Sequence, residues 1–236
     1  MGHSKRTGQQ SSFFKEESRV TAIKRQNRYT WVTWLKGLLS GEEQCQWQPW
    51  FKSRFKYEKV PSGFDLASWN ADHTALLNKR VTDLRREGWT VQVENQNKFT
   101  IVGKSTVLSG KVDIIATKPG LLLVSDAKTG QQRNSDFHQV LLYLFAIPIA
   151  FPDLVVGRSM RGEVCYKNSR IVDVPANLLK PERRKEILDV LAMIGSDVEP
   201  EKVPSQNGCA FCDIGPQDCD KRMGEGAAVD VLTSEF

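Results

Sequence analysis

The chain has 236 residues, 40% of them hydrophobic, with 33 Lys or Arg against 28 Asp or Glu and a formal charge of +5 at pH 7. That length and apolar content suit one large domain with a substantial core. No stretch approaches the roughly 18 continuous apolar residues of a membrane span, because "LLYLFAIPIAF" is short and broken by Pro148. Five cysteines cannot pair completely within one molecule, which argues against a disulfide framework and leaves metal chemistry as the leading use for them. Basic residues gather in "KRQNR", "FKSRFKYEK", "NKRVTDLRR" and "RGEVCYKNSR", a modest lean toward a polyanionic partner.

In chain order, "MGHSKRTGQQSSFFKEESR" lacks an apolar signal region and a cleavage site. It reads as a flexible polar arm over residues 1–20, and a cytoplasmic location is the expectation. "YTWVTWLKGLLSG" predicts a helix closed by Gly41, followed by a segment of aromatics interleaved with cations, "CQWQPWFKSRFKYEK". From Asp65 to Glu87, the positions Leu66, Trp69, His73, Leu76, Leu77, Val81 and Leu84 recur near a 3.6-residue period, predicting a long amphipathic helix stopped at Gly88. "WTVQVEN" and "KFTIVG" alternate like strands. After the hairpin discussed next, "DFHQVLLYLFAI" predicts an apolar helix capped by Asn134 or Ser135 and stopping before Pro148. "GEVCYKNSRIVDVP" suggests one or two strands, and "PERRKEILDVLAMIG" a helix with Pro181 in its first turn. Residues from about Met223 read as a loose tail, 223–236.

Between these elements, "VDIIATKPGLLLVSDAK" carries two apolar runs joined by Pro119-Gly120, a pair suited to the centre of a tight turn. If Lys118 faces Leu121, the antiparallel register continues through Ile114 opposite Ser125 and brings Asp113 opposite Asp126. Lys128 then shares a face with Asp126. Like charges facing each other call for a cation or a bound proton. The alternative is a longer loop and a register slipped by one, with both acids solvated on an edge hairpin.

His73 lies on the apolar side of its helix, where a lone histidine is more often a hydrogen-bonded core residue than a ligand. Gln139 and Tyr143 are four apart on the apolar helix and share a face that could reach the acidic patch. Cys209, Cys212 and Cys219 form a C-x2-C-x6-C cluster that needs one more ligand, for which Cys45 is the best candidate. Cys165 sits in a strand-like run and reads as a buried thiol. Zinc and an iron-sulfur cluster both accept four thiolates.

Taken in order, Cys45, His73, "GKVD" with Asp113, "DAK" with Asp126 and Lys128, "QVLLY" with Gln139 and Tyr143, and the three late cysteines resemble the RecB-like branch of the PD-(D/E)XK nucleases. The likeness is to its iron-sulfur members, the CRISPR-associated RecB-like exonucleases and AddB-type nuclease domains, and covers about residues 29 to 221. It implies an α/β fold: a restriction-endonuclease-like core with a central mixed sheet flanked by helices, an N-terminal helical segment, and a C-terminal Cys-rich loop joined to it by a metal cluster, all within residues 21–222. It implies that His73, Asp113 and Asp126 hold Mg2+ or Mn2+, that Lys128 is the catalytic lysine, and that Gln139 and Tyr143 support the site. Cys45, Cys209, Cys212 and Cys219 would hold a [4Fe-4S] cluster. Two features depart from the family pattern: Asp126 stands where many members have Glu, and the last cysteine gap is six residues.

The implied activity is metal-dependent hydrolysis of DNA phosphodiesters, by an exonuclease acting on single strands or free ends in repair, recombination or CRISPR-type processing. A helicase or CRISPR-type protein would be a partner, and no membrane is implied. Basic and aromatic residues of segment 47–59 are expected to follow phosphates and stack bases. The rival readings are a non-catalytic iron-sulfur DNA-binding or adaptor module, and a zinc-stapled protein unrelated to nucleases.

Overall fold

A computed structural model describes residues 22–61 and 64–224. The arm expected over residues 1–20 lies outside these residues, as does the tail expected over 223–236 apart from its first two positions.

A short strand β1 (Ile23–Lys24) precedes β2 (Tyr29–Trp31), which runs directly into α1 (Val32–Ser40). Gly41 closes α1 in the left-handed conformation, φ 76°, and its N–H returns to the Leu38 carbonyl. Helix α2 (Trp47–Arg54) leads to β3 (Phe55–Lys56), and α3 (Leu66–Arg86) follows. The Asp65 side chain caps α3 by accepting from the Ser68 N–H. Strands β4 (Thr90–Val93), β5 (Lys98–Val102), β6 (Val107–Lys111), β7 (Ile114–Lys118) and β8 (Leu121–Lys128) come next. The second half holds α4 (Asn134–Ala150), α5 (Pro152–Val155), β9 (Ser159–Tyr166), β10 (Ile171–Pro175), α6 (Pro181–Gly195) and α7 (Gln206–Ala210).

The strands form mixed sheets flanked by helices. The largest has the order β10-β9-β8-β7-β4, with β8 and β9 parallel and the other pairs antiparallel. A second sheet runs β2-β6-β5, and β1 pairs with β3. The β7–β8 hairpin has the expected register, from Lys118 opposite Leu121 to Ile114 opposite Ser125, around Gly120 at φ 75°. The ladder ends there, one pair short of the expected Asp113–Asp126 step.

Each face of the five-stranded sheet is covered by one long helix, and strand alternation decides what each receives. Leu77, Val81 and Leu84 of α3 pack on Ile114, Ala116 and Leu123. Ile115, Leu122 and Val124 point the other way, into the main core with α4, Val32 and Leu35. Helix α4 is buried almost all round, and at Gly162 of β9 a Cβ would collide with Val140, so glycine permits the close approach.

Two expectations for α4 need correction. It does not stop before Pro148 but carries that proline in its last turn, where the lost N–H costs one intrahelical bond and tertiary burial of the preceding turns outweighs it. Its cap is neither Asn134 nor Ser135: Arg133 occupies that position, and its N–H is accepted by the Asp136 carboxylate. Similarly, Leu66 and Trp69, expected on the apolar face of α3, are 59% and 37% exposed because the sheet lies only beneath the later turns. Among the described residues no helix is long and apolar enough to cross a membrane.

Candidate active site

Asp126 and Lys128 follow Leu122 and Val124 at even positions on β8, so they face α4 at the C-terminal end of that strand. Asp113 stands in the bend just before β7, and its Oδ2 accepts the Ala127 N–H at 2.8 Å. That bond replaces the expected ladder pairing and fixes Asp113 beside the end of β8. From the other face of the sheet, His73 of α3 brings Nε2 to 3.2 Å from the same oxygen. The two helices that sandwich the sheet thus meet where β8 ends, around a cavity of about 720 Å3 lined by His73, Asp113, Asp126, Lys128, Gln139 and Tyr143.

Gln139 organises the floor of this cavity. Its Nε2 donates to Asp126 Oδ1 at 2.9 Å and to the Tyr143 hydroxyl at 3.1 Å, while Oε1 accepts from Lys128 Nζ at 3.1 Å. The reverse amide orientation would set NH2 against the ammonium and an oxygen against the carboxylate, so charge alone selects this one. Tyr143 completes the chain by donating to the Lys111 carbonyl at 2.9 Å. Every sequence-predicted residue of this group therefore belongs to one connected cluster.

Its electrostatics are under-compensated. Asp126 is 1% exposed; Gln139 serves its Oδ1, and the Lys128 ammonium lies 2.5 Å from its Oδ2. Burial, reinforced by the Asp113 charge, pushes the Asp126 carboxyl up to about 6 despite the pull of Lys128. Burial alone would lower the Lys128 ammonium, but the Asp126 charge and hydrogen bond, with the charges of Asp113 and Asp136, together outweigh it and raise the group above its ordinary value. The hydrogen bond to Asp113 raises the His73 imidazole against the effect of partial burial.

Sequence reasoning missed three contributors. Glu94 lines the cavity from a left-handed backbone position, φ 35°, with its N–H donating to the Asp113 carbonyl. Lys36 of α1 reaches into the cavity and pairs with Asp136 at 3.1 Å. Arg80 of α3 forms a buried, two-pronged pair with Glu163 of β9, at 2.6 and 2.8 Å, which anchors the helix carrying His73 to the sheet. Arg80 falls on the same helix stripe as Leu77 and Leu84, so an arginine within an apolar period was the available signal.

The cysteines form a second centre. Cys45, Cys209, Cys212 and Cys219 line one small cavity, and three of them pack against Trp47, Trp50, Phe51 and Ile214. Burial pushes the Cys219 thiol up, and Cys212 and Cys45 are near enough to add to that shift. Cys165 is apart, buried in β9 against Leu76 and Ala127. The base stacking expected of segment 47–59 is not open to its first three rings. Trp47, Trp50 and Phe51 are spaced three and four apart, and α2 turns them inward as the core of this corner. Lys52 is likewise committed, to Asp213 at 2.7 Å.

Donor types at both centres suit what the resemblance implies. The carboxylates of Asp113 and Asp126 beside an imidazole are donors that suit a hard divalent cation. Four thiols around one cavity are a donor set that a [4Fe-4S] cluster or zinc accepts. Among the described residues, however, no three His, Cys, Asp or Glu side chains already stand where they could hold a single metal ion.

No family model and no curated protein matches this chain. A solved structure described as "Crystal structure of SSO0001" is similar with a TM-score of 0.41 and 14% sequence identity, over 80% of this chain and 84% of that chain.

Proposed function

We propose that the protein is a metal-dependent DNA nuclease built on a restriction-endonuclease-like core of the RecB type, with the four cysteines holding a [4Fe-4S] cluster. The observation that carries the reading is the carboxylate pair: buried Asp126 and Asp113 share one lysine and the His73 imidazole at a cavity. One ammonium does not offset two such carboxylates, and a bound divalent cation would. His73, Asp113 and Asp126 would hold Mg2+ or Mn2+, which supplies Lewis acidity toward a phosphodiester.

The protein's own residues do the rest. Lys128 stays protonated beside Asp126, so its role is to stabilise negative charge building on the phosphoryl oxygens rather than to remove a proton. Gln139 holds that ammonium through Oε1 and Asp126 through Nε2, keeping both aimed at the same point. Tyr143 locks the amide from behind, and its buried phenol stays protonated because burial raises its pKa well above the ordinary value. Arg80 and Glu163 hold α3 in place, so that His73 meets Asp113.

The test is a cleavage assay on single-stranded and duplex DNA with Mn2+ or Mg2+, comparing wild type with Asp126→Ala and Lys128→Ala. Wild type should shorten the DNA and both variants should lose that activity. Equal activity in all three would overturn the proposal. Anaerobically purified protein should carry about four irons and four sulfides per chain; zinc without sulfide would overturn the cluster assignment.

A further inference from the structure

At the entry to α3 three apolar side chains are exposed at the surface of the described residues. Phe64 is 58% exposed, Leu66 59% and Trp69 37%, although the later turns of the same helix are buried. These residues border the carboxylate cavity. Trp69 lines it and stacks on His73, with ring centroids 5.0 Å apart and planes 23° from parallel. Phe64 tilts toward Trp69 from further out, at 6.2 Å and 55°. An aromatic step thus begins in solvent and ends at the ring that contacts Asp113.

We propose that Trp69, assisted by Phe64, is a stacking platform for an unpaired nucleobase next to the phosphodiester held at Asp113, Asp126 and Lys128, and that it makes the site selective for single strands. The proposal rests on the nuclease reading for the identity of that phosphodiester. Three features argue for a nucleic-acid strand as the occupant. A base has a flat π-face that an exposed indole can cover, and stacking tolerates any sequence. The cavity wall carries Lys36, Lys111 and Lys128 within reach of a backbone that would run past the carboxylates Glu94, Asp113 and Asp126. The cavity also has a neighbour: a second groove of about 700 Å3 shares Thr33 and Lys36 with it and is lined in addition by Arg133 and Phe211. Phe211 is 77% exposed, with the Arg133 guanidinium 5.5 Å from its ring centroid. An extended strand passing through both would find an aromatic ring and a cation in each. A paired base in a duplex offers no free face to Trp69, which is the source of the discrimination.

The test uses the full chain and fluorescein-labelled oligothymidylate, with an abasic strand of equal length as control, measured by polarisation in Ca2+. Trp69→Ala should weaken oligothymidylate binding by about ten-fold or more and leave the abasic strand unchanged. Trp69→Phe, which keeps a ring on the platform, should bind within about three-fold of wild type on the same scale. Equal weakening of both strands would mean that Trp69 only supports His73, and would overturn the proposal. So would unchanged oligothymidylate binding, or a wild type that binds no oligonucleotide. Cleavage of the same oligonucleotide by wild type in Mn2+ separates the two readings. Cleavage without a base-dependent effect of Trp69→Ala removes the platform and keeps the nuclease; base-dependent binding without cleavage does the reverse.

Discussion

Two aspartates, one fully buried and one half-buried, end in opposite electrostatic states. Burial pushes Asp126 up to about 6, whereas Asp213 is lowered to about 2 because Lys52 and its other partners overcome a smaller burial effect. The difference is depth together with the number of partners. Asp213 meets Lys52 at 2.7 Å, Lys59 at 2.9 Å and the Tyr57 hydroxyl at 2.9 Å. Asp126 has one lysine, which must serve it in the presence of a second carboxylate. Around Asp213 the charges close on themselves and staple the cysteine loop to the α2–β3 corner. Around Asp126 they are left open, and an open buried charge is a place for a ligand.

The largest effect comes from a third pair, closed like Asp213 but deeper. Glu163→Ala strands Arg80 in the interior and should cost about 3–5 kcal/mol of stability, read as a lower midpoint in urea. A loss below about 1 kcal/mol, typical of a surface pair, would mean that α3 is held by its apolar contacts alone. Next, Lys128→Ala should reduce the cleavage rate constant by about 10²–10³-fold and lower the urea midpoint less than Glu163→Ala does, because the Asp126 carboxyl it strands can take up a proton. A stability loss equal to that of Glu163→Ala would place Lys128 with the closed pairs and break the comparison.

Asp213→Asn should destabilise by about 1–3 kcal/mol at pH 7. Because the folded carboxyl lies below its ordinary 3.8, its contribution is present above that pH and lost as pH falls toward about 2. Wild type and variant should therefore converge in acid. Asp126 has the opposite sign. Its folded pKa is raised, so its contribution is full below about 4 and erodes as pH climbs through about 6. Asp126→Asn should flatten the change of wild-type stability over that interval, measured by thermal melts at several pH values. Parallel curves for the two proteins would remove the under-compensated state from Asp126. Smallest of all, Mn2+ affinity in calorimetry should rise as pH climbs through about 6, where Asp126 releases its proton to act as a donor, and go on rising above that as the raised His73 imidazole releases its own.

Much of the site was legible because local rules governed it. Pro119-Gly120 fixed the turn, the turn fixed the register, and period-two alternation put Asp126 and Lys128 on one face. Helical spacing did the same for Gln139 and Tyr143. The first three rings of segment 47–59 were misread by the same kind of pattern. Cations interleaved with Trp47, Trp50 and Phe51 look like a nucleic-acid surface, but spacings of three and four also describe the buried stripe of a helix, and composition cannot say which side the core is on. Trp69 erred the other way: it obeys the period of α3 yet projects beyond the sheet that would have covered it.

Sequence by itself determined the hairpin and its register, the two long helices, the inventory of carboxylates, lysine and thiols, and the absence of a long apolar span. These depend on neighbours within a few residues, where backbone geometry is periodic. Only the tertiary structure decided that α3 and α4, packed on opposite faces of one sheet, converge at the end of β8 and bring His73 to Asp113 and Gln139 to Asp126. It also decided that Asp113 turns to the Ala127 N–H, that Glu163 meets Arg80, and that Asp213 closes on two lysines while Asp126 stays open. Those outcomes depend on which distant segments bury one another, and burial sets the cost of each charge.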